Sequence, residues 1–341
     1  MWPRLPERFV NDIGIDLGTA NTLVHVRGRG IVLAEPSIVA LDRTNHSVVA
    51  VGRAAKAMLG RAPDSIEVIR PLKAGVIANF DAAQTMLRHI LARVQGRRPW
   101  QRSRMIIGVP HVITPVEKRA VREAAAQAGA HAVYLVGQPT AAAIGAGLPI
   151  HEPGAHVVVD IGGGTTEVAV ISLSGIVHCQ SVRAAGDEMN EAIAQYVRKH
   201  YNMLVGERRA EEIKLILGAR RPNGEPQRIE VKGSDAVARV PKAITITEDE
   251  VRDAVYECIG SIVATVRSSL ERTPPEIAAD MVDSGIVLTG GGALLRGLDE
   301  IIHKETHLPV TIARDPLTCV VRGLGALLED IRLLERVALD D

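Results

Sequence analysis

The chain has 341 residues, 40 Lys+Arg against 40 Asp+Glu, 46% apolar residues and only eight aromatics. This is enough to bury a core, as one large α/β body or two ordinary domains, which excludes a disordered chain; no apolar run approaches 18 residues, which excludes a polytopic membrane protein. Zero formal net charge argues against a general nucleic-acid binder, whose basic surplus neutralises phosphates, so no nucleic-acid partner is expected.

The N-terminal MWPRLPERFV lacks the apolar stretch of a cleavable signal. In chain order, IDLGTANTLV (15–24) reads as a strand, a Gly-rich turn and a second strand, followed by a short excursion over 32–69. Between Ala82 and Val116 stand six arginines and no carboxylate, with Trp100 in their midst. A strand is predicted over 105–110. Thr114 and Glu117 then form a capping box with Pro115 at the first helical position, opening a helix that runs to about Gly129. A strand at 132–136, a small-residue helix at 139–148 and a strand at 156–161 follow, the alternation that marks an α/β fold. A second excursion covers 181–244, and residues 219–245, with alternating RIEVKG, read as β-rich. Thr247 and Glu250 repeat the capping box ahead of a long helix ending near Thr273. The run Gly290-Gly291-Gly292 reads as ending a strand and opening a helix. Cys179, Cys258 and Cys319 are odd in number and widely spaced, so they read as small buried hydrophobes in a reducing cytosol rather than as disulfides or a zinc site.

The chain repeats itself. At an offset of 144 without gaps, IDLGTANTLV lies over VDIGGGTTEV (159–168), matching Asp16 to Asp160, Gly18 to Gly162, Thr22 to Thr166 and Val24 to Val168. Two halves, each headed by such a hairpin, would face each other across a cleft. Glycines in the turns leave backbone N–H groups free to form an anion nest, and a carboxylate at each strand end suits the water shell of Mg²⁺. The third cluster, Gly290 to Gly292, would let backbone approach a flat base or a ribose. The spacing is neither that of a Walker A loop nor that of a GxGxxG fingerprint.

The segments IDLGTANTLV, GQPTAAAIGAGL, VVVDIGGGTTEVAVIS, AGDEMNEAI, GERRAEEIKLILG, RTPPEIAADMVDSGIVLTGGGALLRGLDEII and DPLTCVVRGLGALLE resemble those of MreB, the bacterial actin homologue in the actin/Hsp70/sugar-kinase superfamily, from about Asn11 to the last helix. The resemblance implies an α/β, actin-like (duplicated ribonuclease H-like) two-lobed fold with a nucleotide cleft between the lobes. Four subdomains are expected: IA (10–31, 70–149 and 325–341), IB (32–69), IIA (150–180 and 245–324) and IIB (181–244). It also implies ATP and Mg²⁺ as ligands. Gly18, Thr19, Ala20 and Asn21 fall in the first phosphate loop, and Gly162, Gly163, Gly164 and Thr165 in the second. Asp16 and Asp160 would hold the metal, through water. Glu211 and Lys214 fall where relatives contact ribose and adenine, with Gly290, Gly291, Gly292 and Ala293 closing the base end.

One position departs from the family, which usually carries Glu-Glu-Pro where this chain has Gly137-Gln138-Pro139. An amide cannot act as a general base near neutral pH, although it can orient water. Gln138 and Thr165 are therefore expected to position the attacking water for slow hydrolysis. A kinase that transfers phosphate to a small molecule is the alternative within the superfamily. It would carry larger inserts and a further acid or base, so the sequence favours a nucleotide-switched polymer.

By the same resemblance the protein would be cytoplasmic and peripheral on the inner face of the membrane. It would form paired protofilaments of itself, work with membrane-anchored elongation proteins of the MreC, MreD and RodZ type, and keep cells rod-shaped by organising peptidoglycan synthesis. Trp2, Leu5 and Phe9, at i, i+3 and i+7 beside Arg4 and Arg8, form one candidate lipid-facing segment, and Trp100 in the basic loop 96–102 marks another.

Overall fold

The computed structural model describes residues 10–95, 102–218 and 227–339. The chain opens with a meander of β1 (Val10–Leu17), β2 (Asn21–Val26) and β3 (Gly30–Pro36), then a small unit of β4 (Val39–Asp42), β5 (Val48–Val51), α1 (Arg53–Met58) and β6 (Ile66–Ile69). A ribbon of β7 (Leu72–Lys73) and β8 (Val76–Ile77) leads into α2 (Phe80–Gln95), β9 (Arg102–Val109), α3 (Pro115–Gln127), β10 (Ala132–Gly137) and α4 (Gln138–Gly145). A second meander, β11 (His156–Ile161), β12 (Thr166–Ser172) and β13 (Gly175–Val182), is followed by α5 (Gly186–Tyr201), β14 (Met203–Leu204), α6 (Glu207–Leu217), β15 (Arg228–Asp235) and β16 (Pro241–Thr247). The chain closes with α7 (Glu248–Glu271), α8 (Pro275–Ala278), α9 (Asp280–Ser284), β17 (Ile286–Thr289), α10 (Leu298–Thr306), β18 (Val310–Ile312), α11 (Cys319–Glu329) and α12 (Ile331–Val337).

The sequence repeat is a structural repeat. The sheets run β3-β2-β1-β9-β10 and β13-β12-β11-β17-β18, each an antiparallel meander extended by two parallel strands. Even the register carries over: Asp16 pairs with Leu23 and Leu17 with Thr22, as Asp160 pairs with Glu167 and Ile161 with Thr166. This is the duplicated, two-lobed actin-like fold that the resemblance implied.

Local chemistry sets the element ends. Both capping boxes form: the Thr114 hydroxyl accepts the Glu117 N–H while Glu117 accepts the Thr114 N–H, and Thr247 with Glu250 repeats the exchange. The β-rich reading of 219–245 is realised from Arg228 onward in β15 and β16; residues 219–226 lie outside the described residues. The triple glycine differs from expectation. It opens a short 3₁₀ turn, Gly291–Leu294, and the following helix starts only at Leu298. The expected subdomain limits at 31/32, 180/181 and 324/325 fall inside β3, β13 and α11, because strand pairing and helix packing run on past them.

Each lobe has its own apolar core, one around Ile13, Ile15, Leu87 and Ile107, the other around Val157, Val159, Ile262 and Leu288. A third, built from Ile106, Ala141, Ala142, Val158, Ala169 and Leu324, joins the two sheets through α4 and α11. Those helices cross at backbone contact: a Cβ on Gly323 would lie 1.8 Å from the Ala141 carbonyl oxygen, and one on Gly145 would lie 1.8 Å from that of Cys319. The interior thus relies on aliphatic and small residues, consistent with the scarcity of aromatics. All three cysteines are free; Cys258 and Cys319 are buried and Cys179 half-buried.

Candidate functional site

The two hairpin turns meet across a cavity of about 600 Å³, within the size range of small-ligand sites. It is lined by Asp16, Gly18, Thr19, Ala20, Asn21, Gln138, Asp160, Gly162, Gly163, Gly164, Thr165, Glu211, Lys214, Gly290, Gly291 and Gly292. Every expected nucleotide-site position is therefore in one place except Ala293, which is fully buried in the second lobe's core. The 3₁₀ turn rotates Ala293 inward and presents Leu294 to the cavity instead.

Why the turns keep their shape is visible in the repeated threonines. Thr22 and Thr166 are fully buried. The Thr22 hydroxyl shares a 2.8 Å hydrogen bond with that of Ser37, which in turn donates to the Gly18 carbonyl at 2.6 Å. Thr166 donates to the Ala184 carbonyl at 2.6 Å. These bonds tie each turn to the segment leaving its meander. The turns also press on each other: a Cβ on Gly163 would lie 2.7 Å from that of Ala20, and one on Gly164 would lie 2.6 Å from Thr19 Oγ1 and 2.9 Å from Ala74 Cα. Larger residues would hold the lobes apart. Gly290 adopts φ +77° at the end of β17, a conformation that leaves its backbone against Asp160 and Ile161.

Asp16 and Asp160 end matching strands, and each is buried with one side-chain donor. The Gln138 amide Nε2 donates to Asp16 Oδ1 at 3.0 Å, and Thr289 Oγ1 donates to Asp160 Oδ1 at 2.8 Å. Gln138 thus spends its side chain on Asp16 and does not cap α4, whose N-cap, Gly137, makes no side-chain capping bond. Burial, reinforced by the charge of Asp160, pushes Asp16 up to about 7, against the hydrogen bond from Gln138. Burial raises Asp160 to about 6, against the bond from Thr289. Two buried carboxyls held near neutral pH are relieved by a cation, so the pair fits a divalent metal. Among the described residues no three His, Cys, Asp or Glu side chains converge into a protein-only cage.

At the other end of the cavity Glu211 and Lys214 do not pair as a surface couple. Lys214 Nζ donates to the Gly186 carbonyl at 2.6 Å, and Glu211 bonds Lys56 at 2.6 Å. Burial lowers the Lys214 ammonium, with Glu211 and Asp187 opposing. Gly186 and Asp187 N–H groups donate to the carbonyls of Gly162 and Gly163, so the second glycine loop, the head of α5 and Lys214 form one unit.

Sequence reasoning missed Glu167. Its side chain is buried, it accepts the His111 N–H at 2.9 Å, and its Oε2 has no close hydrogen-bond partner among the described residues. Burial pushes it up to about 8, against the hydrogen bond from His111, with the Asp160 charge adding to the rise. It bridges from β12 in the second lobe to the segment after β9 in the first. The available signal was a lone acid inside an apolar strand, TEVAVIS. Also missed were Asp187, Asn190 and Leu317, which line the cavity from elements far apart in the chain. Trp2, Leu5, Phe9 and Trp100 lie outside the described residues. No helix among the described residues is long and apolar enough to cross a membrane.

Known proteins place this geometry in a family. The model of the MreB/Mbl protein family matches residues 10–336. The cell shape-determining protein MreB of Escherichia coli is 52% identical over 328 residues, which is 95% of this chain and 94% of that one. The cell shape-determining protein Mbl of Bacillus subtilis is 46% identical over 328 residues, 96% and 98% of the two chains. Among solved structures, MreB5 of Spiroplasma citri bound to AMPPNP superposes with a TM-score of 0.91 at 36% identity, covering 96% of this chain and 98% of that one. The double helical filament of MamK shares the fold, with a TM-score of 0.79 at 22% identity over 94% and 99% of the chains. The chain belongs to the MreB/Mbl family, actin-like proteins whose relatives named here determine cell shape.

Proposed function

We propose that this protein is an ATP-dependent, membrane-associated filament protein of the MreB type that maintains rod shape by organising peptidoglycan synthesis. The observation that carries the reading is the pair of matched Asp–Gly–Thr hairpins facing each other across one cavity, in a chain that superposes on MreB5 bound to AMPPNP. In this reading Gly18 to Asn21 and Gly162 to Gly164 cradle the phosphates with backbone N–H groups. Glu211, Lys214 and Gly290 to Gly292 flank ribose and base. Asp16 and Asp160 would hold Mg²⁺ through its waters, and the ion would neutralise charge on the phosphate oxygens.

Gln138 and Thr165 position the attacking water. The amide of Gln138 is anchored by Asp16, which leaves its oxygen to accept a hydrogen bond from water. It takes up no proton, so hydrolysis proceeds without a general base at this position and is slow. Phosphate release from wild type, Gln138→Glu and Gln138→Ala tests the assignment: no loss in the alanine variant removes Gln138 from the mechanism.

Subunits add head to tail through an open, heterologous contact and pair into double protofilaments. The division into IA, IB, IIA and IIB, the position on the inner face of the cytoplasmic membrane and the partnership with MreC-, MreD- and RodZ-type proteins rest on family membership. Trp2, Leu5, Phe9 and Trp100 are assigned to the lipid surface. Trp100→Ala combined with deletion of residues 2–9 abolishes liposome co-sedimentation if that assignment holds; unchanged binding overturns it. For the function as a whole, pelleting with Mg-ATP is set against a screen for sugar-dependent ATP turnover. Pelleting without such turnover supports the polymer, and the reverse supports a phosphotransferase.

A further inference from the structure

Among the described residues, ion pairs at two places link the first lobe to the second. Lys56 Nζ on α1 lies 2.6 Å from Glu211 Oε2 on α6, and Arg70, just ahead of β7, donates to Glu207 at the start of α6. The two acids stand at i and i+4 and so share one face of α6. Side-chain exposures of 30% and 23% in the first pair and 23% and 44% in the second mark contacts partly withdrawn from water.

Their position gives these pairs a consequence beyond stability. The large apolar contact between the lobes lies at the crossing of α4 and α11, whereas α1 packs on β3 to β6 and α6 on α5, α7 and β15. The pairs therefore hold the small outlying units together, away from the crossing about which the lobes would part. They also reach the site. Glu211 lines the cavity, and α6 carries Lys214, whose ammonium holds the Gly186 carbonyl beside the second glycine loop. The charge of Arg70 is felt at Asp187, which lines the cavity, and that of Lys56 at Lys214. Three cations, Lys56, Arg70 and Lys214, thus interleave with three anions, Glu207, Glu211 and Asp187. Separation of the lobes around a molecule seated between the glycine loops would break both pairs.

We propose that the Lys56–Glu211 and Arg70–Glu207 pairs form a clasp across the mouth of the cleft, and that opening this clasp controls the release of bound nucleotide. The proposal rests on the nucleotide reading of the cleft. It makes release a lobe-opening step separate from chemistry, a common rate limit when a ligand is enclosed. Because the pairs are partly exposed, salt should weaken them.

The test uses the Arg70–Glu207 pair, which contributes nothing to the cavity lining. The full chain, below the concentration at which it pellets, is loaded with a fluorescent ADP analogue and chased with unlabelled ADP at low and high salt. Arg70→Glu and Glu207→Arg should each release the analogue about three- to fivefold faster than wild type at low salt, the upper end of the scale of one partly screened ion pair. The double swap, Arg70→Glu with Glu207→Arg, should return release to within about twofold of wild type. Lys56→Met should accelerate release, and high salt should narrow every difference. Thermal melts show that each variant is folded. Unchanged release in the single variants overturns the clasp, as does acceleration that the double swap fails to reverse. If wild type itself takes up no analogue, the nucleotide reading falls and the clasp with it.

Discussion

Replacing Gln138 by Glu tests how the cleft manages its buried charge. In the structure the amide Nε2 of Gln138 donates to Asp16 Oδ1 at 3.0 Å, and Asp16 is already raised to about 7 by burial and by Asp160. The substitution exchanges that donor for a second anion, and two unit charges about 3 Å apart repel by about 5 kcal/mol at an effective dielectric of about 20. The protein escapes most of this by leaving a proton on one of the carboxyls, at about 1.4 kcal/mol per pH unit. The sign follows from linkage. The variant's native state holds a proton that its unfolded chain releases above about pH 4 to 5, so its stability falls as pH rises from there. A net loss of roughly 2 to 3 kcal/mol at pH ~8.5 corresponds to a melting-temperature deficit of about 3 to 4 °C in a chain of 341 residues. Thermal melts of the nucleotide-free protein at pH ~5.5 and ~8.5 read it directly. The deficit should be large at the higher pH, should shrink at the lower, and should narrow when Mg²⁺ and ADP are added. Equal stability of variant and wild type at the higher pH, or a deficit independent of pH, refutes the reasoning.

Three further outcomes follow from the geometry. Gly164→Ala sets a methyl group 2.6 Å from Thr19 Oγ1 and 2.9 Å from Ala74 Cα, and because the second contact is backbone the lobes must give; nucleotide affinity by calorimetry should fall about tenfold or more, about 1.4 kcal/mol, and an unchanged affinity would show that the two turns need not touch. Glu167, raised to about 8 by burial, holds a proton in the native state that the unfolded chain loses above about pH 4.3, so it makes wild type less stable as pH climbs from there to about 8; Glu167→Gln should flatten that part of the melting-temperature profile, and an unaltered slope would assign the pH dependence elsewhere. Gly323→Ala drives a Cβ to 1.8 Å from the Ala141 carbonyl oxygen and should cost about 3 kcal/mol or more in urea unfolding; a loss below about 0.5 kcal/mol would mean that α4 and α11 can separate freely.

What the sequence made legible was local or repeated. Thr114 with Glu117 and Thr247 with Glu250 announce helix starts because the bonds they make span only three residues. The hairpins were legible because Asp16 and Asp160 sit at the same offset as every other matched position, and the sheets keep that register. Contacts made only when the lobes come together were not legible. Glu167 aligns with Leu23 across the repeat, so nothing in the pattern set it apart except its charge, and its partner is the backbone of His111 in the other lobe. Lys56 belongs to the first excursion along the chain and Arg70 follows directly after it, and both meet α6 only in space. Ala293 was misplaced because a Gly-rich stretch does not reveal whether a helix or a 3₁₀ turn follows it, and that choice decides which side chain faces the cleft. The Gln138 amide could be read as a departure from the family, but not that Asp16 would receive it.

On the proposed reading, nucleotide held between the Asp16 and Asp160 hairpins switches this chain into a membrane-bound polymer. Electron microscopy of the full chain on anionic lipid monolayers, with and without Mg-ATP, tests nucleotide, polymer and membrane together. Paired filaments lying on the lipid with Mg-ATP, sparse or absent without it, are the predicted result. Monolayers bare of filaments under both conditions would contradict it.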